Sequence, residues 1–206
     1  VMIDCEHGPM DLDQVEHMVR AGEVFGITSI TRIPNHADDT ILRFLDRGVQ
    51  GIIVPHINTR EDADAVARAA RYYPEGHRGV GGGRAHDYGV GTTRDESTAW
   101  INSQMLVIPM VEETEAVENL DAILSVPGVD VLHVAAGDLG QSLGNPGPGD
   151  VRRLMSQVVP KIRSGGVNVG VGGNNPADAA GIAEFIKLGA NFVTVSAQGL
   201  LRLGAE

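Results

Sequence analysis

The sequence predicts an α/β chain of the (β/α)8 TIM-barrel class. Three observations predict it: short Val- and Ile-rich runs that recur along the whole chain, helical patterns with start signals between them, and no G-x-G-x-x-G after the first run. The runs cover residues 1–3, 27–31, 52–55, 106–111, 129–134, 167–171 and 192–196. They are apolar on both faces, as parallel strands covered by helices should be. After the first run, Asp11-Leu12-Asp13-Gln14 has the spacing of a capping box and opens a helix that turns Leu12, Val15, Met18 and Val19 inward. A second helix is expected near 40–46, and Thr59-Arg60-Glu61-Asp62 opens a third over 63–70. The longest break in the alternation is 72–100, which holds Gly79-Val80-Gly81-Gly82-Gly83-Arg84 and reads as a long loop; its glycines suit a hinge as well as an anion cradle. Helices follow near 114–124 and 150–164, and Asn175-Pro176 offers a cap followed by proline at the first helical position.

Strand and helix alternating in this way build either an open doubly wound sheet or a closed barrel, and periodicity alone does not separate the two. Seven strands with one more ahead of Val1 would make eight, and a barrel of about 250 residues would lose roughly one βα unit in a chain of 206. The chain begins inside a strand with no cap or turn signal before it, and 199–206 is long enough only for the first turns of a helix. The expectation is one barrel domain over 1–206 that lacks the first βα unit and most of the last helix.

Composition narrows the partners. The formal net charge is −11, and the 16 Lys and Arg residues are scattered, so nothing marks a surface for nucleic acid. No apolar stretch approaches the roughly 20 residues of a membrane span, and the single cysteine, Cys5, has no partner for an intramolecular disulfide. A cytoplasmic location is the corresponding expectation.

In a parallel barrel the chemistry gathers just after the C-terminal ends of the strands. The groups there are Asp4, Glu6 and His7; Arg32; His56; Glu112; Asp138; Gly172, Gly173 and Asn174; and Ser196 and Gln198. Glu112 and Asp138 close consecutive strands, about one αβ unit apart. Adjacent strands lie about 4.8 Å apart, so two carboxylates at one height can share a hard divalent cation. A structural alternative stands beside this: Asp138-Leu139-Gly140-Gln141 has capping-box spacing, and Glu112 precedes a helix start where negative charge is favourable. Arg32 is either the partner of a nearby acid or a clamp for a substrate carboxylate. His7 is placed to act as a base or to sit packed at the surface, and Cys5 reads as a small buried residue rather than a nucleophile. Lys161 and Lys187 are the only lysines and both fall in predicted helices, so a Schiff-base route has no inward amine. Enolate chemistry here would need a metal ion as electrophile.

Several segments together resemble one family: Ile3-Asp4-Cys5-Glu6-His7-Gly8-Pro9, Thr31-Arg32-Ile33-Pro34, Leu45-Asp46-Arg47-Gly48-Val49-Gln50, the stretch from Tyr73 to Gly81, Val111-Glu112-Glu113-Thr114 and Gly137-Asp138-Leu139. Their order and combination are those of the HpcH/HpaI type of class II, metal-dependent 2-oxo-acid (pyruvate) aldolase. The resemblance implies that Glu112 and Asp138 bind Mg²⁺ or Mn²⁺, with Co²⁺ also possible, and that a 2-oxo acid chelates the ion through its carboxylate and keto oxygens. It implies His7 as general base, Asp46 as the acid that raises its basicity, and Arg32 as the group that stabilises the enolate oxygen. The backbone amides of Gly137 and Asp138 correspond to those that hold the substrate carboxylate. Ala135-Ala136-Gly137 departs from the family's usual Gly-Pro-Ala or Gly-Pro-Ser, and Met110 stands where a Gln is common. His56 takes a position that is often apolar.

The activity so implied is reversible cleavage of 4-hydroxy-2-oxo acids to pyruvate and an aldehyde. Oxaloacetate decarboxylation and a catalytically silent barrel that binds a 2-oxo acid are the alternatives. The family also implies a homo-oligomer, a trimer or hexamer.

Overall fold

The computed structural model describes residues 1–205 apart from the Asn174 side chain. Glu206 and that side chain, both included in the sequence reading, lie outside it. All seven expected strands form: β1 (Met2–Asp4), β2 (Ile30–Arg32), β3 (Gly51–Val54), β4 (Leu106–Val111), β5 (Val131–Ala135), β6 (Asn168–Asn174) and β7 (Phe192–Val195). Each pairs in parallel with the next in sequence. A doubly wound sheet reverses its strand order at a switch point, and this order does not reverse. Consecutive order is that of a barrel. Between the strands run α1 (Leu12–Val24), α2 (Asp38–Leu45), α3 (Arg60–Ala70), α4 (Arg94–Gln104), α5 (Thr114–Glu118), α6 (Leu120–Leu124), α7 (Ala136–Ser142), α8 (Pro148–Ser164) and α9 (Ala179–Lys187), and α10 (Ala197–Ala205) follows β7.

The residues fall into two compact units. The first comprises Val1–Pro55, Glu61–Pro109 and Val126–Val129. Its strands pair as Met2↔Ile30, Ile30↔Gly51 and Gly51↔Leu106. Gly51 is needed at that crossing, because a Cβ there would stand 2.8 Å from Leu106 Cβ and 2.9 Å from Ile30 Cγ2. All four residues of β3 are buried, and Ile3, Val15, Ile33, Ile41 and Leu45 are buried in the same unit. α1 opens as the sequence requires: Gln14 N donates to Asp11 Oδ1 and Asp11 N to Gln14 Oε1, both at 3.0 Å. The stretch 72–100 is not one loop. Thr93 and Glu96 form a second capping box, with Thr93 N donating to Glu96 Oε2 at 3.0 Å and Glu96 N to Thr93 Oγ1 at 3.3 Å, and this starts α4 inside it.

The second unit comprises His56–Arg60, Met110–Ser125 and the chain from Asp130 onward. Here Met110↔His133 and Val111↔Val134 join β4 to β5, and Val131↔Asn168 through Ala135↔Gly172 join β5 to β6. Leu120, Ile123, Leu132, Val134, Val159, Ile162 and Val169 are fully buried. The helix expected near 114–124 is broken in two at Asn119, whose Nδ2 donates to Asn58 O at 2.9 Å. The helix expected from Asn175-Pro176 starts later, at Ala179 behind an Asp178 cap. Asn175 Oδ1 instead accepts from Ala177 N at 3.0 Å, an Asx turn that competes with helix entry. Lys161 and Lys187 lie exposed on α8 and α9.

Candidate active site

In the first unit the polar groups gather where β1 and β2 end side by side, with Asp4 paired to Arg32 in register. Arg32 Nε donates to Asp4 Oδ1 at 2.9 Å and Arg32 Nη2 to Asp4 Oδ2 at 2.5 Å, a bidentate fork. Arg32 Nη1 stands 3.2 Å from Glu6 Oε2. The Asp4 carboxylate also accepts from the backbone of the next turn, Glu6 N at 3.1 Å and His7 N at 3.3 Å. Burial alone would push its pKa up, but the Arg32 fork and these two amides outweigh burial and hold it below the ordinary value. The His7 ring is exposed, with Glu6 Oε2 at 3.9 Å. Cys5 is buried, and burial raises its pKa, as befits the packing residue its position suggested.

Asp46 follows the last residue of α2, and its Oδ1 accepts from Arg78 Nη2 at 3.0 Å. The Arg78 side chain is fully buried, with its guanidinium 4.6 Å over the Tyr72 ring. Among the described residues no hydrogen bond joins Asp46 to His7. Tyr72 Oη lies 2.8 Å from His86 Nε2, and His86 Nδ1 lies 2.7 Å from Ser97 Oγ. Sequence reasoning missed this buried chain. Its one local signal was the Thr93–Glu96 capping box, which puts Ser97 on a helix rather than in a loop.

In the second unit Glu112 directly follows β4 and is only 2% exposed. Its Oε1 accepts from His56 N at 2.8 Å, and His56 Nδ1 stands 3.6 Å from the same oxygen. His56 adopts φ 57, a left-handed conformation unusual for a residue other than glycine, and this aims its N–H at Glu112. The neighbouring Glu113 is held by His56 Nδ1 at 2.8 Å and Asn58 Nδ2 at 2.9 Å. The His56 hydrogen bond, helped by Asn58 and working against burial, lowers the Glu113 pKa. Asp138 is exposed in the first turn of α7, immediately after β5, and Gly137 precedes it. Neither acid caps a helix: Ala135 takes the cap position of α7 and makes no side-chain bond, and Glu113 caps α5 likewise without one. The alternative assigned to Asp138 by spacing is therefore not what the chain builds.

Sequence reading also missed His133, 4% exposed and paired in register with Met110. A Cβ on Gly170 or Gly172 would fall 2.3 Å from its ring, so the two glycines of β6 make the room it fills.

A divalent ion suits the second unit's acids. Glu112 is a buried carboxylate at one strand end, and Asp138 is an exposed carboxylate just after the neighbouring strand, so each can offer an oxygen to a cation. Oxygen donors are what Mg²⁺ and Mn²⁺ prefer.

Parallel strands paired in consecutive order define an α/β barrel. Comparison with known proteins makes this specific. Residues 1–202 match the family model described as HpcH/HpaI aldolase/citrate lyase. The 2-keto-3-deoxy-L-rhamnonate aldolase of Klebsiella pneumoniae is 34% identical over 204 residues, 98% of this chain and 75% of the relative. The 4-hydroxy-2-oxovalerate aldolase of Novosphingobium aromaticivorans is 33% identical over 197 residues, 94% of this chain and 73% of the relative. The crystal structure of an HpcH/HpaI aldolase/citrate lyase family protein from Burkholderia cenocepacia superposes with a TM-score of 0.88 at 32% identity, covering 99% of this chain and 81% of that one. The fold is a TIM-like (β/α) barrel, and the chain belongs to the HpcH/HpaI aldolase/citrate lyase family as an enzyme of the aldehyde-lyase kind.

Proposed function

We propose that the chain is a divalent-metal-dependent aldolase that reversibly cleaves 4-hydroxy-2-oxo acids to pyruvate and an aldehyde. The observation that carries this is Glu112, a carboxylate 2% exposed at a strand end, with Asp138 following the next strand. In this reading Glu112 and Asp138 hold Mg²⁺ or Mn²⁺. When bound, the ion supplies Lewis-acid polarisation of the substrate's keto oxygen. The backbone N–H groups of Gly137 and Asp138 lie in the first turn of α7, where amides have no intrahelical acceptor, and they hold the substrate carboxylate. His7, directly or through water, takes the proton from the C4 hydroxyl. The C3–C4 bond then breaks, its electron pair moves into the enolate, and the aldehyde leaves. Arg32 stabilises the enolate oxygen, and the proton returned to C3 yields pyruvate. Asp46 is assigned to the His7 base; its hydrogen bond to Arg78 holds the carboxylate that would serve.

Release of pyruvate from a 4-hydroxy-2-oxo acid should stop on full removal of metal by chelator and return with Mn²⁺. Release that survives chelation refutes the reading. A homo-oligomer, trimer or hexamer, is proposed with the family reading, and light scattering would detect it. Among the described residues no helix is long and apolar enough to cross a membrane, and a cytoplasmic location is proposed with the activity.

A further inference from the structure

The Asp4 carboxylate makes four hydrogen bonds, and they run to two different parts of the reaction machinery. Two go to Arg32, through Nε at 2.9 Å and Nη2 at 2.5 Å. Two come from the backbone of the turn that carries the base, Glu6 N at 3.1 Å and His7 N at 3.3 Å. The turn has little freedom of its own. A Cβ on Gly8 would lie 2.2 Å from Asp4 O, so the chain folds back against the Asp4 carbonyl as closely as a glycine allows. Cys5 N donates to Arg32 O at 2.9 Å, which locks the two strand ends at the same point.

The arginine fork is spent asymmetrically. Its Nε–Nη2 edge faces Asp4, and its Nη1 stands 3.2 Å from Glu6 Oε2. A guanidinium gripped by one edge has a fixed plane, and a fixed plane lets a planar oxyanion be met without reorganisation during the reaction. An arginine released from that edge would keep its charge and lose its aim.

We propose that Asp4 is a positioning residue that sets the His7 base and the Arg32 enolate-stabilising group together, through one carboxylate that grips the guanidinium edge and caps the base's turn. This rests on the aldolase reading given above. Asp4 touches no reacting atom in this scheme; it acts through Arg32 and His7.

The test uses the full chain loaded with Mn²⁺ and reads exchange of the pyruvate C3 protons with deuterium by NMR, which reports enolate formation without any aldehyde. Asp4→Asn is near-isosteric and keeps one oxygen for the backbone amides, but it turns an amide toward Arg32 or gives up the backbone caps. Exchange should fall about 100-fold, the scale seen when one preorganised oxyanion donor is lost. Oxalate, a planar mimic of the enolate, should bind at least about tenfold more weakly, whereas pyruvate affinity should change less than about threefold. Asp4→Glu keeps the charge and should recover part of the exchange rate. A merely structural role would lower melting temperature, pyruvate affinity and exchange together, and that pattern overturns the proposal. Exchange in Asp4→Asn within about threefold of the parent overturns it as well. A parent chain with metal that shows no exchange refutes the aldolase reading itself, and this proposal with it.

Discussion

Glu112→Gln separates the metal role of this residue from its structural one. The carboxylate is 2% exposed and accepts a backbone N–H from His56 at 2.8 Å. A glutamine oxygen can accept that same bond, so the variant removes charge and leaves the local structure intact. The midpoint of each chain without metal is the reference from which its metal shift is read. With metal the two should part. An ion at 100 times its dissociation constant stabilises a folded chain by about 2.7 kcal/mol, which in a domain of this size raises the melting midpoint by roughly 5–10 °C. If the glutamine weakens binding about 100-fold, the same ion concentration only equals the new constant and adds about 0.4 kcal/mol, roughly 1 °C. Scanning calorimetry in chelator and in Mn²⁺ measures both shifts, with titration calorimetry giving the affinities directly. A variant that gains the parent's full Mn²⁺ shift would show that Glu112 is not a ligand.

Two further predictions concern the first unit. Asp46→Asn should cost about 1–3 kcal/mol in urea unfolding, because Arg78 is fully buried and its Nε and Nη1 have no hydrogen-bond partner among the described residues, which leaves Asp46 as its counter-charge. His86 has its pKa lowered below 6.5 chiefly by burial, with the Arg78 charge adding to the effect and Asp46 opposing it. The unfolded chain therefore binds a proton first as pH falls, so the contribution of neutral His86 is full above about 6.5 and is lost as pH drops through the lower folded value. Urea midpoints between pH 6.5 and 5.5 should fall less steeply in His86→Gln than in the parent.

What the sequence made legible follows from how local each signal is. The seven strands and α1 were readable because their signals are short-range: paired β-branched runs, and a cap three residues from its partner. The second capping box, at Thr93 and Glu96, was as local as the first but lay in a glycine-rich stretch whose composition hid it. The break at Asn119 was not local at all. It depends on Asn58 O, and no pattern within 114–124 encodes that bond. The same distinction divides the site. Glu112 and Arg32 announced themselves by standing at strand ends, but their partners did not. Asp4 grips Arg32 across two strands, His56 meets Glu112 through a left-handed backbone, and His133 fits only because Gly170 and Gly172 stand opposite it. Contacts of this kind exist only once the register is fixed.

Gly8→Ala tests whether the turn that carries His7 is a constraint or a convenience. Nothing in the chemistry assigned to His7 asks for a glycine beside it, so any effect must come through geometry. The added Cβ would stand 2.2 Å from Asp4 O, and the obstacle is backbone, which cannot rotate aside as a side chain would. Relief requires the turn to open, and overpacking of this sort costs about 1–3 kcal/mol. The opening also lengthens the bonds from Glu6 N and His7 N to Asp4, now 3.1 and 3.3 Å, while the Arg32 fork can follow the Asp4 side chain. Proton transfer should therefore suffer more than oxyanion binding. Pyruvate C3 exchange should drop at least about tenfold, on the scale of a misplaced general base, while oxalate affinity stays near the parent's. An alanine variant with normal exchange would mean that the turn tolerates opening and that His7 needs no fixed backbone to work.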